Sequence, residues 1–458
     1  MSPARRVCSN VRVCALDAHI HARDYTAAMI KVAFIGAGSV EFTRELLGDL
    51  LSFDELADTH VALHDIDAER LDTATGMARW IDGELGGRAT ITAHADRREA
   101  LDGADFVLNM IQVGMHAATL VDFEIPARHG LRQTIGDTLG IGGIFRALRT
   151  IPVLLGIGAD MAELCPDAWL LNYTNPMAIL CQAYAEGSPH KRMVGLCHSV
   201  QHTSRHLAEL AGAPFEEVTF LGAGVNHQAF ILRLEHDGED LYPRIDAAID
   251  ADPDQLRRVR VQMYRRLGYF PTESSEHSAE YLPWYMRDPQ AVERLRLLEG
   301  EYVQRSEENL AEYERARSRL ANGEPFAIER SLEYASLIVH SMVTGHERVI
   351  YGNVQNAGLL ADLPARSAVE VPCVVDRTGV RPTPVADYPP QLAALNRTFL
   401  NVADLTVRAA LEGDERHVHH AALLDPNAAS SLSPEAIEAV VEELLEAHAE
   451  RLPAGLRR

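Results

Sequence analysis

A cysteine and a histidine stand side by side in VGLCHSV (194–200), and a second histidine follows 30 residues after the cysteine in GVNHQAF (224–230). A thiolate and an imidazole, Cys197 and His227, with positions left open for water or substrate oxygens, suit a divalent transition metal acting as a Lewis acid. The spacing matches no compact metal signature. By composition alone Cys197 reads as a small buried hydrophobe and His227 as a satisfied core histidine. Placement argues otherwise, because a thiol ending a parallel strand faces the crevice where such sheets bind ligands.

A second phrase, KVAFIGAGSV (31–40), is an apolar run that breaks into two glycines. Gly36 permits a tight turn, Gly38 lets the backbone approach a pyrophosphate, and Ser39 and Val40 open a helix whose N–H groups face the phosphates. Asp65 ends the next apolar run 27 residues after Gly38, where a carboxylate accepts both ribose hydroxyls and repels a 2′-phosphate. That combination points to NAD. Glu41 replaces the third glycine of the usual fingerprint, so the glycine phrase alone is equally a turn in some other α/β enzyme.

The elements that must position these residues follow from periodicity. Six short apolar runs, KVAFIG, VALHD, TITAHAD, FVLNMI, WLLNYT and MVGLCH, alternate with helix-length amphipathic stretches between residues 31 and 198. This predicts a Rossmann-type, doubly wound parallel sheet of the α/β class. Its strand ends place Gly36, Asp65, Asn109, the stretch 172–175, Cys197 and His198 around one crevice. After about residue 200 the texture changes to a strand-like segment at 218–234, a helical tract from about 253 to 320, loop-rich sequence to Pro390 and a helical end. The division expected is an extension over 1–28, a cofactor domain over 29–198 and an α+β substrate and metal domain over 199–458. Lactate and malate dehydrogenases share this organisation.

The chain has 458 residues, 47 % of them hydrophobic, and a net charge of −23. Such a field repels nucleic acid and anionic membranes, so neither is an expected partner and a small molecule is. The apolar stretches stop at polar or glycine punctuation short of the roughly 20 residues that span a bilayer. Six scattered cysteines do not form a disulfide framework, which fits a reducing cytoplasm. Residues 1–28 carry four arginines with few acids and no apolar core, and read as an extension upstream of Met29 rather than a targeting segment.

Taken in order, GAGS, HDID, QTIGDTLGIGGIFRALRT, LNYTNPMAI, VGLCHSVQ, GVNHQAF and YFPTESSEHSAEYLPW resemble the NAD- and metal-dependent glycoside hydrolases of family 4, over essentially everything from Met29 onward. DTLG, CHSVQ and TESSEH resemble the α-galactosidases of that family most. The resemblance implies glycoside cleavage outside the two-carboxylate scheme: oxidation of the sugar at C3 by NAD, removal of the C2 proton, elimination of the aglycone, addition of water and return of the hydride. It implies Mn2+ or another divalent metal on Cys197 and His227, with Asn175 and Asp137 holding the sugar and His198 as general acid. For the base it points into MYRRLGYFPTESSEH, where Tyr264, Tyr269, Glu273 and Glu276 all qualify, Tyr264 and Glu273 being favoured. A homodimer or homotetramer is expected.

Two other classes fit parts of the pattern. A 2-hydroxy-acid dehydrogenase needs a His/Asp pair and an arginine clamp but no metal-binding thiol, and a non-catalytic NAD-binding regulator needs no TESSEH segment. Within the family, an α-glucuronidase or galacturonidase needs a cation near C6, and a 6-phosphoglycosidase a phosphate pocket.

Overall fold

The computed structural model describes residues 29–457; the expected extension, residues 1–28, lies outside them. Six strands, β1 (Lys31–Ile35), β2 (His60–His64), β3 (Thr90–His94), β4 (Phe106–Asn109), β5 (Trp169–Asn172) and β6 (Met193–Gly195), pair in parallel in the order β3-β2-β1-β4-β5-β6. Except at the edge strand β3, their buried runs are continuous rather than alternating because helices cover both faces. Val32, Phe34, Val61, Leu63, Phe106 and Leu170 are completely buried. This is the doubly wound Rossmann order that the periodicity predicts.

The later strands join the same sheet. β7 (Val218–Val225) and β8 (Gln228–His236) form an antiparallel hairpin, edged by the short β9 (Glu239–Asp240) and β10 (Phe270–Pro271). β11 (Arg348–Gln355), β12 (Ala368–Asp376) and β13 (Gly379–Pro382) form a second antiparallel set. Asn353 of β11 pairs with Gly195 of β6, and Glu370 of β12 with Gly224 of β7, so the described strands make one 13-stranded sheet.

Two expectations need correction. The tract from 253 to 320 is not one long helix: it runs as Val259–Leu267, Ser275–Glu280 and Pro289–Arg294 before the long helix Glu301–Asn322. Gly268, at φ +85°, ends the first of these with a left-handed cap, and Gly300, at φ +70°, precedes the last. The second correction concerns apolar length. Helix Gly140–Leu164 is long and apolar enough to cross a bilayer by those measures, and 78 % of its apolar window is buried inside the protein. It forms the wall between the sheet and the C-terminal helices. Arg149 on it makes a two-pronged bond to Asp122, which also binds His448 at 2.8 Å, and all three are buried.

Candidate functional site

The carboxyl ends of the parallel strands open on a cavity of about 260 Å3. Beside Ile111, which lines it, lies the cofactor end, where the chain leaves β1 through Gly36 at φ +85° and a Cβ would stand 3.0 Å from the Ile111 nitrogen. A Cβ on Gly38 would lie 2.6 Å from an Asp65 oxygen and from the Arg70 Cβ. Both glycines are therefore required by the turn. Asp65 accepts the Gly38 N–H at 2.8 Å and the Asp67 N–H at 2.9 Å, which ties the second strand to the glycine turn. Ser39 immediately precedes helix Val40–Leu51 and makes no side-chain cap, so the first helical N–H groups stay available. Glu41 points to solvent; a side chain is tolerated where the fingerprint has its third glycine. Close backbone approach at Gly38, open helical N–H groups and a carboxylate at the next strand fit a dinucleotide.

The strand-end asparagines fix the next turn. Asn109 donates to Asn172 at 2.8 Å and to Thr174 at 3.2 Å, and Asn172 donates to the Thr174 carbonyl at 3.0 Å. Asn175 follows, lines the cavity, and donates to Asp137 at 3.3 Å.

Cys197 and His227 meet here across their 30-residue gap. Cys197 follows β6; His227 occupies the β7–β8 turn at φ +63°. Glu273 completes a cluster whose three donor atoms all lie within 4.8 Å of one another. Its Oε1 is 3.9 Å from the Cys197 sulfur and 3.4 Å from His227 Nε2, while Oε2 is 3.4 Å from His277 Nδ1. One sulfur, one imidazole and one carboxylate suit a divalent transition metal with positions left for other oxygens. Burial pushes the Cys197 thiol up to about 12, so the bare pocket favours SH and a cation would be needed to draw out the thiolate. Burial would also raise Glu273, but the imidazoles of His227, His277 and His198 outweigh it and hold the carboxyl at about 2.

His198, half exposed, bonds Glu333 through Nδ1 at 2.9 Å. Burial favours its neutral form, yet that bond and the carboxylates of Glu333 and Glu273 raise it to about 9. Behind the cluster, Thr138 links Asp137 (2.9 Å) to His227 Nδ1 (3.0 Å).

The four candidates for the base separate clearly. Tyr264 is a correction: its hydroxyl donates to Asp246 at 2.8 Å and its ring packs against Tyr242 and Phe270, away from the cavity. An aromatic on the apolar side of a short helix went to the core. Glu276 turns to Arg258, and neither it nor Tyr269 lines the cavity. Glu273 does.

Sequence reasoning missed several lining residues. His277 stands four after Glu273, a spacing visible in TESSEH. Tyr302, Arg305 and Asn309 line the cavity from one face of helix Glu301–Asn322 at the helical interval i, i+3, i+7. Arg146, one turn into helix Gly140–Leu164, lies over the Tyr302 ring. Glu333 carries no local signal at all.

A doubly wound sheet with a glycine turn at one end of a cavity and a sulfur, imidazole and carboxylate cluster at the other defines a class of metal-assisted nucleotide-fold enzymes. The comparisons narrow it. Residues 31–213 match the family 4 glycosyl hydrolases and residues 222–428 their C-terminal domain; the chain belongs to this family. It is 42 % identical over 430 residues to an α-galactosidase of Bacillus subtilis, covering 93 % of this chain and 99 % of that one. It is 36 % identical to an α-galactosidase of Rhizobium meliloti over 93 % of this chain and 90 % of that one. Among solved structures, a 6-phospho-α-glucosidase from gut microorganisms in complex with NAD and Mn2+ shares the fold, with a TM-score of 0.79 and 21 % identity over 93 % of this chain and 99 % of that one. A lactate dehydrogenase of Eimeria maxima is a more distant likeness, with a TM-score of 0.53 and 15 % identity over 85 % and 97 % of the two chains.

Proposed function

We propose that this protein is an NAD- and divalent-metal-dependent α-galactosidase. The observation that carries the reading is the convergence of Cys197, His227 and Glu273 on a cavity whose lining residue Ile111 packs against the Gly36 turn. The similarity to two α-galactosidases supports the sugar. Gly36, Gly38, Ser39, Val40 and Asp65 would hold the dinucleotide, and Cys197 and His227 the metal. When bound, these groups supply reversible hydride acceptance and Lewis acidity beside the sugar hydroxyls.

The chain's own residues do the rest. Asn175 and Asp137, already bonded to each other, present a donor and an acceptor to the sugar. Glu273, ionised and backed by His277, takes the proton from sugar C2. His198, its Nδ1 engaged by Glu333, gives a proton through its other nitrogen to the departing oxygen. Residues 29–198 then carry the cofactor turn together with Asp137, Asn175, Cys197 and His198, and residues 199–458 bring His227 and Glu273 to the metal and substrate side. The enzyme is taken to be cytoplasmic and a homodimer or homotetramer, which size-exclusion chromatography with light scattering checks. Among the described residues the buried Cys165, Cys181, Cys197 and Cys373 form no disulfide, which is compatible with a reducing compartment.

The deciding experiment is hydrolysis of a nitrophenyl α-galactoside. Activity should require both NAD and Mn2+, with no NADH accumulating, because the hydride returns to the sugar in each turnover. Full activity in cofactor-stripped enzyme with chelator present defeats the mechanism, and activity confined to a galacturonide or a sugar phosphate replaces the substrate.

A further inference from the structure

The segment 134–140, which carries Asp137 and Thr138 into the cavity, has little regular structure of its own to hold it. Its backbone is bonded instead by carboxylates from far along the chain. Glu280, 2 % exposed, ends the short helix Ser275–Glu280. Its Oε1 accepts the N–H groups of Thr134 and Ile135, the latter at 3.1 Å, and its Oε2 accepts that of Gly136 at 3.0 Å. Three successive backbone donors thus converge on one carboxylate, and among the described residues no arginine, lysine or histidine forms an ion pair with it. The Thr134 hydroxyl adds a bond to the Glu276 carbonyl at 2.8 Å. At the far end Gly140 donates its N–H to the buried Asp425 at 3.1 Å.

The turn between these anchors is tight. Gly136 sits at φ +53°, and a Cβ there would stand 3.0 Å from the Phe123 ring. From it emerge the two side chains that face the site, Asp137 toward Asn175 and Thr138 toward His227.

We propose that Glu280 is a positioning residue that sets Asp137 and Thr138 for the sugar and for His227 by gathering the three N–H groups of Thr134, Ile135 and Gly136. This deepens the glycosidase reading and rests on it. The same eight residues, 273–280, then serve twice. Glu273 and His277 face the cavity directly, and Glu280 clamps the opposite wall, so the two walls keep a constant separation.

Replacing the carboxylate by an amide takes away one acceptor oxygen and turns an NH2 group toward backbone donors, leaving at least one buried N–H unpaired. The test is a double-mutant cycle on full-length protein. Glu280→Gln should raise KM for nitrophenyl α-galactoside about 10- to 100-fold, the range for residues that support a site from behind, with NAD affinity unchanged. In an Asp137→Asn, Thr138→Val background the same substitution should add little, because it acts through those two side chains. Additive effects, an unchanged KM, or a parallel loss of NAD affinity overturn the proposal. Glu280→Asp, which keeps both oxygens but shortens the reach, is read in the same cycle if the glutamine variant does not fold. A second readout needs no catalysis: amide exchange at 134–136 should rise in Glu280→Gln while the strands of the parallel sheet stay protected. Unchanged protection there overturns the clamp. A wild-type protein that cleaves no glycoside overturns only the functional reading, and the exchange measurement still judges Glu280.

Discussion

The two ends of the cavity are built in opposite ways. At the cofactor end Gly36, Gly38 and Asp65 come from one strand–helix–strand unit, bonded to each other over a separation of 27 residues. At the sugar end Asp137, Asn175, Cys197, His227, Glu273 and Arg305 come from six separate segments, and the contacts Asp137–Asn175, His227–Glu273 and Cys197–Glu273 span 38, 46 and 76 residues. A dinucleotide needs backbone shape, which local sequence supplies. A metal and a sugar need converging side chains, which only the assembled fold supplies. The two ends should therefore fail independently.

The largest effect expected is at the metal cluster. Cys197→Ser and His227→Ala should lose metal and about ten-thousandfold in turnover, the several kcal/mol a Lewis acid contributes, while NAD titrates normally. Normal metal content in both variants would return these residues to the core and dissolve the comparison.

Glu273→Gln sharpens what that end contains. If Glu273 is the base, turnover should fall roughly a thousandfold with metal affinity kept. A parallel loss of metal affinity by titration calorimetry would make it a third ligand instead.

A pH measurement on the metal-free protein probes the scaffold behind the sugar end. Burial raises the Asp425 carboxyl from 3.8 to about 6, against the pull of the Ala428 and Gly140 N–H groups. The folded state then binds the proton more tightly than the unfolded one, so this contribution to stability is present below pH 4 and is lost as pH rises through 6. The wild type should lose about 3 kcal/mol relative to Asp425→Asn across that window in urea unfolding. Parallel curves would show that the group titrates normally.

The smallest effect is at the cofactor end. Asp65→Ala should weaken NAD binding about tenfold, the worth of one charge-assisted hydrogen-bonding group, and leave metal affinity as it was. A change in metal binding would mean the ends are coupled after all.

This construction also explains what could be read in advance. The six parallel strands were legible because their apolar runs are continuous, and the glycine turn because its parts are neighbours. Cys197 and His227 drew notice only through strand-end placement and the ordered phrases of a known family. Glu280, Glu333 and Thr138 were invisible, since a glutamate whose partner lies 135 or 144 residues away leaves no local pattern. Tyr264 was misread for the converse reason: an aromatic hydroxyl near the right phrase looks chemical until packing assigns it to Asp246. Helix breaks after Leu267 and before Glu301 were hidden in an Arg- and Glu-rich stretch whose composition favours helix throughout.

The strand order has a consequence for how the chain is made. The hairpin carrying His227 does not pair with the parallel strands; β11 and β12 lie between, in the order β6-β11-β12-β7. Those two strands are synthesised after residue 347, more than a hundred residues later than the hairpin. Until they emerge, β7 lacks its inner neighbour, and only the side-chain contacts to Thr138 and Glu273 hold His227 opposite Cys197. The parallel strands are complete by Gly195, so the order of synthesis lets them form first. On the ribosome, competence to bind the nucleotide should arise first and competence to hold the metal only when the last strands insert between the two halves.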